Sequence, residues 1–280
     1  MKTLFVPVAG HEGLETLIAT ACLGAQRFDS LMEGARILEL AEYVDFSGDL
    51  PGSRSEQTSW TDLLRSEELA FQEAFTAAMN ARAVRRETIP GAGPSYQWRT
   101  GTFSDDRTMS QHARLFSATV VGRPESNEAS LSMSSFQAVL FESGRPVLIA
   151  PPTPPVSLGE AVLVAWNGAT ETARTVAFAM PFLQQARRVE VLEVEGYRVP
   201  GPSAQELAWA LKREGIQTQA RTLSASKVTS GEIFLSEAKA LGCDLLVKGA
   251  YTQSRLRQMI FGGATSHILR HAEVPVFMAH

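Results

Sequence analysis

The last 37 residues of the chain, Asp244–His280, carry its clearest structural signal and read DLLVKGAYTQSRLRQMIFGGATSHILRHAEVPVFMAH. An apolar run leads into Gly249, a basic stretch follows, Gly262-Gly263 opens an amphipathic segment, and a second apolar run ends the chain. Glycine lets the backbone approach a phosphate closely, and a helix start offers unpaired N–H groups to it. This order of strand, glycine loop, helix and strand is therefore typical of an α/β fold with a phosphate-binding loop.

These residues resemble the C-terminal signature of the universal stress protein family, a G-x2-G-x9-G-[S/T] pattern. Gly249 and Gly262 match its first and third glycines, whereas Thr252 stands at the second glycine and Gly263 where Ser or Thr is usual. The surrounding residues are similar to the family as well, and the chain is identified as a member. The resemblance implies an adenine-nucleotide alpha-hydrolase-like, Rossmann-like fold, and it leaves nucleotide binding as a separate question.

Composition and length narrow the class of protein. A chain of 280 residues with 44% hydrophobic and 20% charged residues is typical of soluble globular proteins and is long enough for two domains. A net charge of −4 gives no support to nucleic-acid or anionic-membrane binding. Two cysteines make no disulfide framework, and the apolar start ends by His11, too early for a signal peptide. We expect a cytoplasmic protein.

The C-terminal pattern recurs once upstream. Val120-Val121-Gly122 corresponds to the strand that ends in Gly249, and the segment 145–150 corresponds to 274–279. Between the halves, four prolines in 151–155 predict a semi-rigid linker. We therefore predict two tandem doubly wound parallel-sheet α/β domains: a degenerate universal stress protein domain at 1–150, a Pro-rich linker at 151–158, and a domain with the nucleotide-type loop at 159–280.

Alternating apolar runs and amphipathic segments place the elements of the second half. The predicted strands lie near 161–166, 188–194, 217–222, 244–248 and 274–279, and the predicted helices near 170–185, 203–214, 230–241 and 263–271. The first half is predicted to open with a helix over Gly13–Phe28, to carry an insertion around Gly48–Ser59, and to have a long helix over Trp60–Arg86. The resemblance also implies an intrachain pseudo-dimer in which 147–149 pairs with 276–278, leaves further homodimerisation open, and names no protein partner. The alternative is that both runs are buried strands of their own sheets.

The resemblance places a nucleotide in the second half only. Base and ribose contacts would come from the ends of the first two strands, and the phosphate contacts from the glycine loop and the helix that follows. The corresponding residues are Ala165, Asn167, Val194, Gly249, Thr252, Gly262, Gly263 and Thr265. The alternative is that Gly262-Gly263 is a turn and Thr265 a helix cap.

Two residues, Asn167 and Thr252, weaken this expectation, and the role of a third, Lys248, is open. Asn167 stands where the family commonly has Asp, so a charge-assisted bond to a ribose hydroxyl is lost. If position 252 needs a positive φ, its β-branched threonine costs roughly 1–2 kcal/mol. Lys248 at the end of an apolar strand either reaches a phosphate or, the interpretation we favour, extends to solvent or pairs with an acid.

The first half lacks the features of a phosphate-binding loop. Gly122 is followed by Arg123-Pro124-Glu125, in which proline lacks a donor and glutamate repels phosphate. Met133 and Ser134 stand in place of Gly262 and Gly263, and Phe136 in place of Thr265. We predict no nucleotide there.

Other chemistry has weaker support. His267 and His271 share a helix face but have no third ligand nearby, so a metal site is not expected. Cys22 is predicted to be a core residue, and Cys243 to be partly exposed. Three functions remain: regulatory binding of one ATP or AMP per chain, with Mg²⁺ only alongside ATP; a protein-interaction module without nucleotide; and a slow ATPase, which lacks a candidate general base. No catalytic residue is predicted.

Overall fold

The computed structural model describes residues 1–10, 13–38, 54–88, 91, 93–124, 131–224, 228–250 and 263–280, with 54–61 described by backbone alone. It divides into two compact units, Met1–Ser143 and Gly144–His280. Each unit is a mainly parallel sheet with helices between its strands, so the predicted α/β fold class is confirmed.

The first unit contains five parallel strands in the order β3-β4-β2-β1-β5. The strands are β1 (Thr3–Val8), β2 (Leu31–Arg36), β3 (Arg85–Arg86), β4 (Ser95–Trp98) and β5 (Ala118–Val121). The helices are α1 (Leu14–Phe28), α2 (Arg54–Ala81), α3 (Asp106–Ala113) and α4 (Met133–Glu142). Strand β1 lies between β2 and β5, and five of its six residues are buried, as expected of a parallel strand that is covered on both faces.

Helix α2 differs from its predicted bounds. It begins at Arg54 and ends at Ala81, not at Arg86, and β3 follows it. The helix ends because Ala83 adopts a left-handed backbone (φ 54°) and Val84 N donates to Met79 O at 3.0 Å, which closes the last turn. Most of the predicted insertion around Gly48–Ser59 lies outside the described residues, and its end forms the start of α2.

The second unit has the strand order β6-β11-β10-β7-β8-β9. Its strands are β6 (Val147–Ile149), β7 (Ala161–Trp166), β8 (Arg188–Val194), β9 (Thr218–Leu223), β10 (Leu245–Gly249) and β11 (Val276–Ala279). Its helices are α5 (Thr170–Gln185), α6 (Ala204–Arg213), α7 (Ser230–Ala240) and α8 (Ala264–His271). All of these agree with the predicted elements to within about two residues.

Local sequence explains the helix starts in this unit. Ser203 and Glu206 form a capping box at the start of α6, and the Thr229 side chain accepts a hydrogen bond from Glu232 N at the start of α7. In each case the side chain satisfies an N–H group that the helix itself leaves unbonded. Both capping residues lie within one position of the predicted helix starts near 203 and 230.

Strand β6 pairs with β11 in the antiparallel direction, whereas β11, β10, β7, β8 and β9 pair with their neighbours in parallel. The register joins Ile149 to Val276 and Val147 to Met278. The predicted pairing of these two segments is confirmed, and it lies wholly within the second unit.

None of the helices in the described part of the chain is both long enough and apolar enough to span a membrane.

Candidate functional site

Two of the predicted contact residues, Asn167 and Gly249, lie at the point where the strand order of the second unit reverses. The chain passes from β7 outward to β8 and β9 on one side, and then returns through β10 and β11 on the other side. Ala165 in β7 is in register with Lys248 in β10, so Asn167 and Gly249 both lie at the carboxyl ends of neighbouring strands. A crevice at such a switch point is where open α/β sheets bind ligands.

Lys248 is the most unusual residue of this site. It is only 2% exposed, and its Nζ donates to Gly249 O at 2.6 Å and to Thr265 Oγ1 at 2.9 Å. No acidic partner lies within ion-pair distance among the described residues. The favoured interpretation, an extension to solvent or an acidic partner, was therefore wrong. The buried ammonium instead points at the first turn of helix α8, which Thr265 occupies.

Helix α8 begins without a side-chain cap from the part of the chain that the structure describes. Gly263 is its N-cap residue and has an extended backbone conformation. Thr265 is buried, and its hydroxyl accepts the Lys248 bond and does not cap the helix. The alternative role of Thr265 as a capping residue is therefore wrong. Two other predicted phosphate contacts, Thr252 and Gly262, lie outside the described residues.

The side chain of Asn167 makes hydrogen bonds within the protein. Its Oδ1 accepts a hydrogen bond from Ala169 N at 3.2 Å and another from Thr172 Oγ1 at 2.7 Å, and the residue is 1% exposed. These bonds hold the chain where helix α5 begins, and the α5 N-cap residue, Ala169, makes no side-chain cap bond of its own. Asn167, the predicted ribose contact, therefore stabilises the start of helix α5 through these hydrogen bonds.

Gly249 has a packing role that the motif did not reveal. A Cβ at this position would lie 2.5 Å from Thr172 N and 2.6 Å from Thr172 Oγ1. Glycine is therefore required because the first turn of helix α5 contacts the backbone of β10. Thr172 is buried and touches both Gly249 and Asn167. Sequence analysis did not single it out, since an isolated threonine in a helix carries no motif.

A loop covers the ends of β7 and β8, where the base contacts were predicted. Ala165 and Val194 are buried strand residues, and Val194 O accepts a hydrogen bond from Tyr197 N at 3.1 Å. Trp166 Nε1 donates to Pro202 O at 2.8 Å. A Cβ on Gly201 would lie 2.3 Å from Gly168 O, so this loop contacts the segment after β7 directly.

The loop is also fixed by an ion pair between the buried carboxylate of Glu193 and the exposed side chain of Arg198. Glu193, which is 2% exposed, lies 3.2 Å from Arg198 Nε and accepts a hydrogen bond from Ala204 N at 3.1 Å. A carboxylate at the start of helix α6 is favourable because the helix dipole is positive there. Sequence analysis missed this pair; an acidic residue inside an apolar strand was the available signal.

The first unit has filled the corresponding place with its own side chains. Val121 stands at the position of Lys248, and the fully buried Phe136 at that of Thr265. Ser132 caps helix α4 by accepting from Ser135 N at 3.1 Å, and the Ser135 hydroxyl donates to the Asp106 carboxylate. A carboxylate of the chain thus lies beside the helix start where a phosphate would bind. Glu125 lies outside the described residues.

The remaining candidate groups are a histidine pair and two cysteines. His267 and His271 stack with ring centroids 4.5 Å apart, and burial, followed by the charge of His271, lowers the pKa of His267. No cluster of metal-ligand type occurs among the described residues. Cys22 is buried as predicted; Cys243 is buried too, so its predicted partial exposure was wrong. Burial raises the pKa of each thiol to about 11, which makes both poor nucleophiles.

Comparisons with known proteins agree with this architecture. Residues 160–280 match the model of the Universal stress protein family. The fold is similar to that of a universal stress protein from Archaeoglobus fulgidus DSM 4304, with 14% identity, 99% of this chain and 95% of that chain covered, and a TM-score of 0.69. It is also similar to a putative universal stress protein from Pseudomonas aeruginosa UCBPP-PA14, with 16% identity, coverages of 100% and 93%, and a TM-score of 0.55.

A third solved structure, a universal stress protein in complex with cAMP, has 15% identity to this chain. It covers 43% of this chain and 97% of its own length, with a TM-score of 0.31. No curated protein matches the chain.

Proposed function

Since residues 160–280 belong to the universal stress protein family, we propose that this part of the chain binds one adenine nucleotide, ATP or AMP, as a regulatory ligand. The phosphates would lie between the end of β10 and the start of helix α8. The bound nucleotide would bias the conformation or the choice of partner, and Mg²⁺ would accompany it only when the ligand is ATP.

The observation that carries the proposal is the buried ammonium of Lys248. Burying a lysine is costly because its charge loses its hydration, and a carbonyl and a hydroxyl are weaker partners for it than an anion. A phosphate at the N-terminus of α8 would supply that anion. It would meet the charge of Lys248 together with the unpaired N–H groups of the first turn.

The free energy of a phosphate contact alone is too small to give micromolar affinity. A helix terminus contributes roughly 0.3–1 kcal/mol toward an exposed charge, and up to about 2 kcal/mol when it is partly buried. Micromolar affinity requires about 8 kcal/mol, so the base and ribose must contribute the rest. The loop that joins Tyr197 to Pro202 borders this part of the site. We therefore propose that it rearranges when the base binds.

Isothermal titration with ATP, AMP and adenosine tests the proposal. We expect one nucleotide per chain, with ATP and AMP bound more tightly than adenosine because adenosine lacks the phosphates. Lys248→Met should weaken ATP binding at least tenfold and leave adenosine binding nearly unchanged. Lys212→Met, which removes the same charge from an exposed position, is the matched control.

A second function is favoured by a different observation. Asn167, Gly249 and Val194 all make contacts within the chain at the predicted nucleotide site. A domain that had lost its ligand would use these residues in the same way, as a protein-interaction module. The absence of heat with millimolar ATP or AMP, in protein from which no nucleotide is released on denaturation, would support this second function over the first.

A further inference from the structure

A groove on the second unit lies at the amino ends of strands β8 and β9, and its volume is about 580 Å³. It is lined by Arg187 and Arg188 at the start of β8, by Lys212 in the last turn of α6, and by the segment 215–219, which leads into β9. Strands β7 to β10 are parallel, and Lys248 lies at the carboxyl end of β10. The groove is therefore at the opposite edge of the sheet from the proposed nucleotide site.

The groove is positively charged. Its lining contains three cationic side chains and no carboxylate. Arg187 Nε lies 3.2 Å from the carboxylate of Glu160, so this charge is paired. Arg188 donates to the backbone carbonyl of Leu241, and among the described residues neither Arg188 nor Lys212 has an acidic partner within ion-pair distance. The chain as a whole has a net charge of −4, so this accumulation of positive charge is local.

An exposed tryptophan lies one helical turn from the groove. Trp209 precedes Lys212 by three residues on α6, so the two side chains are neighbours on the helix surface. Trp209 is 63% exposed and is the only exposed tryptophan or phenylalanine in the described part of the chain. The guanidinium carbon of Arg213 lies 5.1 Å from the centroid of its ring. The indole therefore presents aromatic surface to solvent beside a further positive charge.

A basic groove beside an exposed aromatic ring is the combination with which proteins bind single-stranded nucleic acids. Cations contact the phosphates, which every nucleotide of the strand carries, and the ring stacks against a base. Acidic peptides and inorganic phosphates have no base to stack. In a duplex the faces of the bases are already stacked on one another, and a base reaches an aromatic side chain only at the cost of unstacking.

We propose that this groove and Trp209 together bind single-stranded nucleic acid. One base stacks on the indole ring, and the neighbouring phosphates bind Arg188, Lys212 and Arg213. Stacking and phosphate contacts are common to all nucleotides, so the site has no sequence preference. Three phosphate contacts predict that the logarithm of the binding constant falls with the logarithm of the salt concentration with a slope of about −2.

Fluorescence anisotropy of labelled twelve-nucleotide strands, titrated with the full-length protein at 50 mM salt, tests the stacking contact. We expect oligo(dA) and oligo(rA) to bind with similar affinity. An abasic strand has the same phosphates without bases, and it should bind at least fivefold more weakly. In Trp209→Ala, oligo(dA) should bind no better than the abasic strand. Lys248→Met should bind oligo(dA) as the natural sequence does, since Lys248 lies at the other edge of the sheet.

The salt dependence tests the phosphate contacts. Lys212→Gln should weaken the binding of oligo(dA) and of the abasic strand equally, and should make the slope shallower by about 0.7. Lys239→Gln removes one charge from an exposed lysine outside the groove and should change neither quantity.

Four results would overturn the proposal. The first is equal binding of oligo(dA) and the abasic strand by the natural sequence, and the second is equal binding of oligo(dA) and a duplex of the same length. The third is a twelve-residue polyglutamate peptide that binds as tightly as oligo(dA), which would indicate a protein partner for the groove. The fourth is the absence of any change in anisotropy at 100 μM protein.

Discussion

The ammonium nitrogen of Lys248 lies 2.9 Å from the hydroxyl oxygen of Thr265, inside the second unit and 17 positions away in sequence. The bond joins the end of a central strand to the first turn of helix α8. Neither residue is exposed to more than 3%. A charge in such a place is expensive for folding, which is why the proposed nucleotide site is centred on it.

Replacing Lys248 by methionine should separate stability from binding. Methionine has a similar length and no charge, and replacing buried charged groups by apolar side chains of similar volume is often neutral or stabilising by roughly 1–4 kcal/mol. We expect the free energy of unfolding in urea to be unchanged or higher in Lys248→Met, while the stabilisation by ATP disappears. A large loss of stability in the absence of nucleotide would show that Lys248 has a structural role.

Removing the acceptor from Thr265 should have the opposite effect on folding. Thr265→Val keeps the shape of the side chain but leaves the buried ammonium with one partner fewer, which costs about 1–3 kcal/mol. Thr265→Ser retains the hydroxyl and should lose less. Urea unfolding measures the loss of stability in each variant. In the double variant Thr265→Val/Lys248→Met the destabilising effect of Thr265→Val should disappear, since no buried charge then remains.

The two glycines that end corresponding strands should respond differently to alanine. A Cβ on Gly249 would lie 2.5 Å from Thr172 N, whereas a Cβ on Gly122 would have nothing within 4 Å. Gly249→Ala should therefore destabilise by roughly 1–3 kcal/mol or more, because helix α5 must shift. Gly122→Ala is the matched control and should be neutral or slightly stabilising. Equal thermal midpoints for the two variants would contradict the close packing at Gly249.

The two buried thiols should make the protein less stable in alkali. Burial raises the pKa of Cys22 and of Cys243 to about 11 from an ordinary value of 9, so the folded state holds these protons more tightly. Their contribution is complete below pH 9 and is lost as the pH rises through 11. It amounts to on the order of 2 kcal/mol for each thiol.

Urea midpoints measured between pH 8 and pH 11 test this dependence. The double variant Cys22→Ala/Cys243→Ala should lose less stability over the same interval than the natural sequence does. Parallel curves for the two proteins would contradict the effect of burial.

The sequence predicted the second unit almost element by element because its signals are local. Runs of Val and Leu mark strands that are buried on both faces, and the amphipathic segments between them mark the helices. The pairing of β6 with β11 is not local and was expected from the family resemblance.

The site was less predictable because its contacts join distant parts of the chain. The motif identified Gly249, but the reason for that glycine is Thr172, which lies on a different helix and has no pattern of its own. For Lys248, the ordinary behaviour of lysine favoured solvent, and only the fold shows that the side chain is enclosed beside Thr265. The end of α2 at Ala81 was missed because the left-handed Ala83 is not a glycine.

The position of strand β6 determines where the chain can be cut. Val147–Ile149 precedes the proline-rich stretch, yet it covers the outer edge of β11 within the second unit. A fragment that begins at residue 159 would leave the apolar strand Val276–Ala279 with unpaired N–H and C=O groups along that edge. Exposed apolar edges of this kind recruit other chains and promote aggregation. A fragment that begins at Gly144 retains the pairing of β6 with β11, so recombinant production and limited proteolysis of the second unit should respect that boundary.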